Sequence, residues 1–264
     1  MLRALNKNNI GHLAWDADKK NKPYFCPNCQ KEVILRQGAI KIDHFAHKPP
    51  IECIYGSGES EIHYRIKKQI YEYLNIKGNC EKCEIERNLE TVRPDISLYI
   101  DKIPVAIEIQ KSTIDIRIIK KRMLEYYKKK ISVLWIIPEK EPSLQYHEKE
   151  DEFVHRALEW EVYLHALNYG KLYYWQGDNT IKAYHFDSFR IYKDASEWYN
   201  EYGDLEGAGG YHYYAKKLKL CTTDDKLLYI EKDFNKTFHK YYSNDNIDIP
   251  ECFIFNDKFG SWWK

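Results

Sequence analysis

The stretch that decides the fold is "RPDISLYIDKIPVAIEIQKS", residues 93–112. Side chains along a β-strand alternate between the two faces of a sheet. One face of this stretch would carry only aliphatic side chains: Ile96, Leu98, Ile100, Ile103, Val105, Ile107 and Ile109. The pattern therefore predicts two antiparallel strands with one buried face, joined by a turn at Asp101-Lys102.

Two acids interrupt the opposite face of the same hairpin. A two-residue turn would pair Asp95 directly with Glu108, with their Cβ atoms about 4.5–5.5 Å apart, and Gln110 would point to the same side. Like charges at this distance repel, so a divalent cation between them is the favoured interpretation. Mg²⁺ takes carboxylate oxygens and can polarise a phosphoryl group. The alternative is that both acids face solvent and the twist of the sheet separates them.

Residues 56–74, "GSGESEIHYRIKKQIYEYL", have the periodicity of an amphipathic helix capped near Ser57. The predicted apolar stripe consists of Ile62, Ile66, Ile70 and Leu74. Glu59 and His63 project within this stripe, and Lys67 follows one turn later at its edge. Because buried polar groups need partners, we expect these three side chains to meet the acidic hairpin. A single histidine in such a stripe is more often structural.

The segments on either side of the hairpin complete a mixed sheet. Residues 82–89 predict a first strand, residues 114–130 a basic amphipathic helix, and the apolar residues 131–138 a buried strand. The predicted order is helix, three strands, helix, strand. The last strand would return through a helical crossover and so run parallel to its neighbour.

A second cluster of candidate ligands lies near the amino terminus. Cys26 and Cys29 form a CxxC pair, and His44 and His47 form an HxxH pair. Zinc in structural sites takes four nitrogen or sulfur ligands, so we expect a structural zinc. The histidines are closer together than in the usual finger, and Cys53 is an alternative ligand for one of them. The other interpretation is that these side chains only pack together.

The composition sets the broad class. The chain has 264 residues, and its 41 basic and 40 acidic side chains leave a net charge of +1, which gives no support of its own to a nucleic-acid partner. Seven cysteines, partly in CxxC pairs, suit a reducing compartment. The first residues lack the apolar core of a signal peptide, and no apolar run is long enough to span a bilayer. We expect a soluble, cytoplasmic protein without a membrane partner.

Three regions follow from the changes in composition: a zinc module at 1–57, a catalytic domain at 58–140 and an aromatic-rich domain at 141–264. Residues 171–186, "KLYYWQGDNTIKAYHF", predict a hairpin. Tyrosine and tryptophan can stack on nucleobases. For this region we favour core packing or contact with another copy of the chain.

The residues described above resemble the PD-(D/E)XK nuclease superfamily, with its αβββαβ core in the α/β class. Pro94-Asp95 supplies the "PD", and Glu108-Ile109-Gln110 supplies the "(D/E)XK" with glutamine in place of lysine. More narrowly, the chain resembles the CoiA-like competence protein family over residues 24–137. The motifs that carry this likeness are "FCPNCQKEVILRQG", "HFAH", "ESEIH", "RPDI" and "VAIEIQKS", in that order.

The resemblance implies a metal-dependent phosphodiesterase in which Asp95 and Glu108 are ligands of Mg²⁺ or Mn²⁺. Glu59 would be a further ligand or an acid that orients water. At position 110 this chain has glutamine, whereas lysine is commoner in the superfamily. Glutamine is uncharged, so Gln110 brings no positive charge to a developing anion. Lys67 is the preferred substitute for that charge.

From this likeness we expect an endodeoxyribonuclease that acts in DNA processing or in defence against foreign DNA, with His63 among its catalytic residues. The expected partners are DNA rather than RNA and, in addition, a second copy or another protein. The alternative is an inactive zinc-containing module that binds nucleic acid, or assembles with other chains, through a decayed nuclease fold.

Overall fold

The first five strands form a sheet of their own. The computed structural model describes residues 1–50, 53, 60–177, 179–244 and 247–264. The five strands of the first sheet are β1 (Arg3–Leu5), β2 (Gly11–Leu13), β3 (Tyr24–Phe25), β4 (Glu32–Arg36) and β5 (His44–His47). A short 3₁₀ helix spans Lys19–Asn21. They pair in the order β2-β1-β3-β4-β5. Tyr24, Val33 and Phe45 belong to a small core beneath this sheet.

The central segment has the predicted order of elements. These are α1 (Glu61–Asn75), β6 (Cys80–Ile85), β7 (Ile96–Ile100), β8 (Ile103–Ile109), α2 (Ile116–Lys128) and β9 (Ser132–Ile136). β6, β7 and β8 are antiparallel, whereas β9 pairs with β8 in parallel. The sheet is therefore mixed, as the sequence predicted.

The hairpin of β7 and β8 has the predicted register. Ile96 pairs with Ile107 and Ile100 with Ile103. The turn residues Asp101 and Lys102 have φ of 49° and 67°, which is the left-handed backbone of a tight two-residue hairpin turn. The aliphatic face lies in the main core, which confirms the assignment of that face.

A helix covers each face of this sheet. On α1, Ile66, Ile70 and Leu74 are buried against the aliphatic face, whereas Ile62 is 37% exposed. α2 covers the other face with a second core cluster, to which it contributes Ile119, Met123 and Tyr126. α1 starts at Glu61, with Ser60 as its N-cap, so the helix begins later than the sequence predicted; Ser57 lies outside the described residues.

The remaining elements come from residues 141–264. They are β10 (Leu144–His147), β11 (Glu152–Arg156), α3 (Glu159–Leu167), β12 (Leu172–Gly177), β13 (Thr180–Lys193), β14 (Ser196–Tyr199), β15 (Leu205–Ala208), β16 (Tyr211–Tyr229), α4 (Ile230–Asp233), β17 (Phe234–His239), β18 (Tyr242–Ser243), β19 (Asp248–Ile249) and β20 (Cys252–Asp257). β10, β11, β16, β13 and β12 form one sheet in that order, while β14 with β15 and β18 with β19 form two small ribbons.

Two strands of this last region complete the central sheet, whose order is β17-β20-β9-β8-β7-β6. The expected boundary at residue 140 therefore does not coincide with an edge of the sheet. β12 and β13 form the predicted aromatic hairpin, with Asp178 of its turn outside the described residues. Tyr173, Tyr174 and Trp175 are buried. No helix in the described part of the chain is both long and apolar enough to cross a bilayer.

Candidate functional site

A cleft at the end of the hairpin brings together most of the residues that the sequence singled out. His63, Asp95, Glu108 and Gln110 line one cavity of about 160 Å³ together with Arg93 and Arg122. β7 begins and β8 ends at this point, so α1 reaches the cleft from one face of the sheet and α2 from the other. Glu59 lies outside the described residues.

Asp95 is held by groups from α1 and β8. Its Oδ1 lies 3.0 Å from Nζ of Lys67, and its Oδ2 lies 3.0 Å from Nε2 of His63. The backbone N–H of Ile109 donates a hydrogen bond of 2.8 Å to the same Oδ2. Burial alone would raise the pKa of Asp95, but Lys67 and His63 outweigh it and hold that pKa well below its usual value. Asp95 is therefore ionised, and its side chain is held in place by these contacts.

Glu108 has a different electrostatic environment. It is 4% exposed, and Arg122 and Tyr126 of α2 both donate hydrogen bonds to its Oε1. Among the described residues none donates a hydrogen bond to its Oε2. Burial raises the pKa of Glu108, and the nearby charge of Asp95 adds to this, while Arg122 lowers it without cancelling the rise. A cation beside Oε2 would offset the desolvation of this carboxylate.

Lys67 lies behind Asp95, away from the edge position that the sequence predicted. Its side chain is fully buried, and Nζ also contacts Oε1 of Glu86 at 2.8 Å. The other oxygen of Glu86 accepts a hydrogen bond of 3.0 Å from the backbone N–H of Leu2 in the amino-terminal segment. Because two carboxylates already surround Lys67, its position suits holding Asp95 better than contacting a phosphate in the cleft.

Gln110 follows β8 and is partly exposed at the cleft. Its Nε2 donates a hydrogen bond to the carbonyl oxygen of Ser112, so its carboxamide oxygen is the group that could accept a hydrogen bond from water. The positive charges at the cleft come from Arg93 and Arg122 instead, neither of which the sequence singled out.

A separate cluster of ligand atoms lies in the amino-terminal region. Cys26, Cys29, His47 and Cys53 each place one ligand atom within 4.8 Å of the others. Sγ of Cys26 is 4.0 Å from that of Cys53, and Sγ of Cys29 is 3.3 Å from Nε2 of His47. Two sulfurs bound tetrahedrally to one zinc at about 2.3 Å are roughly 3.8 Å apart. The cluster therefore fits a structural zinc with three cysteines and one histidine.

His44 is not part of this cluster, and the alternative ligand Cys53 occupies the fourth position. The reason is strand parity: His44 and His47 are three residues apart on β5, so their side chains point to opposite faces. His44 instead places Nδ1 2.9 Å from the carbonyl oxygen of Ile42 and stacks on Tyr64 at 5.8 Å between ring centroids.

Four residues in or behind the cleft escaped the sequence analysis: Arg93 and Arg122, which line it, and Glu86 and Tyr126, which contact Lys67 and Glu108. Arg122 and Tyr126 are one turn apart on α2. Their spacing from the apolar residues of that helix places both on its buried side. That spacing is the signal that could have found them. Glu86 has no comparable signal, because its partners are distant in the sequence.

Two family models and one known protein match parts of this chain. Residues 9–56 match the family model "Competence protein CoiA, N-terminal domain", and residues 59–197 match "Competence protein CoiA, nuclease-like domain". The chain also resembles the competence protein CoiA of Bacillus subtilis (strain 168), with 30% identity over 119 residues. That match covers 45% of this chain and 32% of the relative. No solved structure matches the chain.

Fold, cleft and matches together define a nuclease-like α/β protein with a cysteine and histidine cluster that could bind zinc. The chain belongs to the CoiA family.

Proposed function

We propose that the chain is a nuclease that uses Mg²⁺ or Mn²⁺ to hydrolyse phosphodiester bonds in DNA. The observation that carries the proposal is the convergence of two acids, the partly buried Asp95 and the buried Glu108, on one cavity with a glutamine and two arginines on its walls. By this proposal the helices and strands from α1 to β9 are a PD-(D/E)XK core. Because the relative is named for competence, the proposed role is DNA processing, with defence against foreign DNA as the other setting.

The donor set of the cleft suits a hard divalent cation. Lys67 and His63 favour the ionised form of Asp95, and Oε2 of Glu108 lacks a donor among the described residues. Glu59, which precedes α1 in the sequence, would be a further ligand or an acid that orients water. When bound, the cation would polarise the phosphoryl group and lower the pKa of water.

The side chains of the cleft then have separate tasks in the proposed reaction. Hydrolysis breaks the bond between phosphorus and one ester oxygen, adds the oxygen of water to phosphorus, and transfers a proton to the leaving alkoxide. Gln110 would accept a hydrogen bond from the attacking water. Arg93 and Arg122 would neutralise the charge of the phosphate. In the (D/E)XK motif this is the task of the lysine that Gln110 replaces here. His63 and Lys67 would position Asp95.

The test is cleavage of plasmid and of single-stranded DNA with Mg²⁺, Mn²⁺ or EDTA. Wild-type protein should cut with metal and not with EDTA, and Glu108→Gln should lower the rate by at least about 100-fold. Asp101→Asn is the matched control, because it removes a carboxylate from the exposed turn of the same hairpin and asparagine tolerates a positive φ. It should cut at the wild-type rate.

A second function is kept because Arg122 and Tyr126 already occupy one oxygen of Glu108. In that case the chain would bind nucleic acid or assemble with other chains without cutting. Wild-type protein that cuts nothing with either metal, and binds DNA as tightly as Glu108→Gln does, would reject the nuclease and leave this function.

A further inference from the structure

Beyond the sheet that contains it, the β13–β16 hairpin continues as a two-stranded ribbon. β11 pairs with β16 at Leu218–Leu220, and farther out β16 pairs with β13, where Arg190 is opposite Tyr214 and Lys193 is opposite Tyr211. We call residues 188–193 with 211–219 the stem, and residues 194–210, which include β14 and β15, the tip.

Most aromatic side chains on this ribbon are exposed, whereas Phe189 at the base of the stem is buried. The exposed large apolar residues are Trp198, Tyr199, Tyr202 and Leu205 in the tip and Tyr211, Tyr213 and Tyr214 in the stem. Tyr199 is 73% exposed and Tyr202 is 82% exposed. An isolated two-stranded ribbon is marginally stable in water, and a row of exposed aromatic residues indicates an interaction surface.

Charges are completely separated between the two parts of the ribbon. The stem contains basic residues and no acid: Arg190, Lys193, Lys216, Lys217 and Lys219. The tip contains acids and no lysine or arginine: Asp194, Glu197, Glu201, Asp204 and Glu206. Asp194 already forms an ion pair with Lys149 of the same chain at 2.5 Å, so the tip offers its other four acids to the five bases of a partner's stem.

The backbone at the junction of stem and tip has a defined conformation. Gly209 has a φ of +97°, and a Cβ at this position would lie 1.8 Å from the carbonyl oxygen of Asp194. The N–H of Gly210 donates a hydrogen bond of 2.7 Å to the carbonyl oxygen of Lys193. The tip is therefore attached to the stem by a junction that requires glycine.

We propose that the ribbon binds the ribbon of a second copy of this chain, with the two arranged antiparallel about a two-fold axis. In such a pair the acidic tip of each copy lies on the basic stem of the other, and every contact occurs twice. The exposed aromatic residues on the facing side of each ribbon become buried between the two copies. Tyr211 and Tyr213 share one side of the stem, and Tyr214 lies on the other. A nucleic acid would match the stem, but the five acids of the tip would repel it, and the aromatic residues of the tip would stay exposed.

The experiment measures the mass of the full chain by sedimentation velocity and light scattering. The tip-reversed variant combines Glu197→Lys, Glu201→Lys and Glu206→Lys. The stem-reversed variant combines Arg190→Glu, Lys193→Glu and Lys217→Glu. Wild-type protein should be a dimer. Its dissociation constant should rise at least tenfold when the salt concentration increases from about 0.05 to 0.5 M, because salt screens exposed charges. Each variant alone should be a monomer.

Mixing the two variants gives the decisive result. In a mixed pair the basic tip of one variant meets the acidic stem of the other, and the acidic tip of the second meets the basic stem of the first. Both contacts are again attractive, so an equimolar mixture should form dimers, and this recovery also shows that both variants are folded.

A wild-type chain that is monomeric at about 100 μM in low salt overturns the proposal, as does a mixture that stays monomeric. Monomeric wild-type protein whose DNA binding is lost in the stem-reversed variant and strengthened in the tip-reversed variant would assign the ribbon to nucleic acid instead. These outcomes are independent of whether the cleft cuts DNA.

Discussion

Glu86→Gln should destabilise the fold by about 3 kcal/mol at pH 7. The side chain is 1% exposed, and its carboxylate contacts Nζ of Lys67 at 2.8 Å and the N–H of Leu2 at 3.0 Å. Burial alone would raise its pKa, but Lys67 and the other cations around it lower the pKa from 4.5 to about 2. This shift corresponds to about 3 kcal/mol of stabilisation by the ionised form, which agrees with the 3–5 kcal/mol typical of a broken buried ion pair.

The pH dependence of this effect has a defined sign. Because the pKa of Glu86 is lower in the folded state than in the unfolded state, its contribution is complete above about pH 4.5. It is then lost as the pH falls toward 2. The difference in unfolding free energy between wild type and Glu86→Gln should therefore shrink between pH 5 and pH 3, and the two proteins should converge near pH 2.

Urea unfolding followed by tryptophan fluorescence at several pH values measures this difference. Glu84→Gln is the matched control, because Glu84 lies only two residues before Glu86 and its ion pair with Arg3 is partly exposed, with 32% of the Glu84 side chain accessible. Such pairs contribute less than about 1 kcal/mol. The reasoning is refuted if Glu86→Gln costs no more than Glu84→Gln at pH 7, or if its cost does not change with pH.

Three further tests, two of them with a control variant, address other parts of the molecule. Cys53→Ser should remove most of the zinc measured by elemental analysis of purified protein, whereas His44→Ala should keep it; equal zinc in both would contradict the proposed ligand set. Nζ of Lys171 lies 2.7 Å from Oδ2 of Asp257, and both side chains are buried. Lys171→Met leaves the Asp257 carboxylate without this partner and should lower the free energy of unfolding by about 3–5 kcal/mol in urea. Lys182→Met, whose partner is fully exposed, should cost less than about 1 kcal/mol. Tyr126→Phe removes one donor to Glu108 and should cost about 1 kcal/mol by the same measurement; no change would mean that this hydrogen bond is not formed in solution.

The sequence by itself determined the hairpin, because the alternation of side chains along β7 and β8 and the turn between them are local properties. Ile96 and Ile107 share a buried face in the structure as the period of two requires. The same parity places Asp95 and Glu108 at one end of the hairpin. The choice between His44 and Cys53 was left open by the sequence, because it depends on β5, a strand that only the structure shows and that places His44 and His47 on opposite faces.

Only the tertiary structure decided what surrounds those acids. The sequence placed His63 and Lys67 near the hairpin but did not show which acid they contact. In the structure both contact Asp95, and Arg122 and Tyr126, which the sequence did not single out, contact Glu108. These partners come from helices on opposite faces of the sheet, and the rotation and depth of each helix depend on how its whole apolar stripe packs. The periodicity of α1 placed Lys67 at the edge of its stripe, yet Glu86 and Asp95 allow it to be fully buried. Local periodicity predicts which face a residue occupies, whereas its charge partners depend on segments that are distant in the chain.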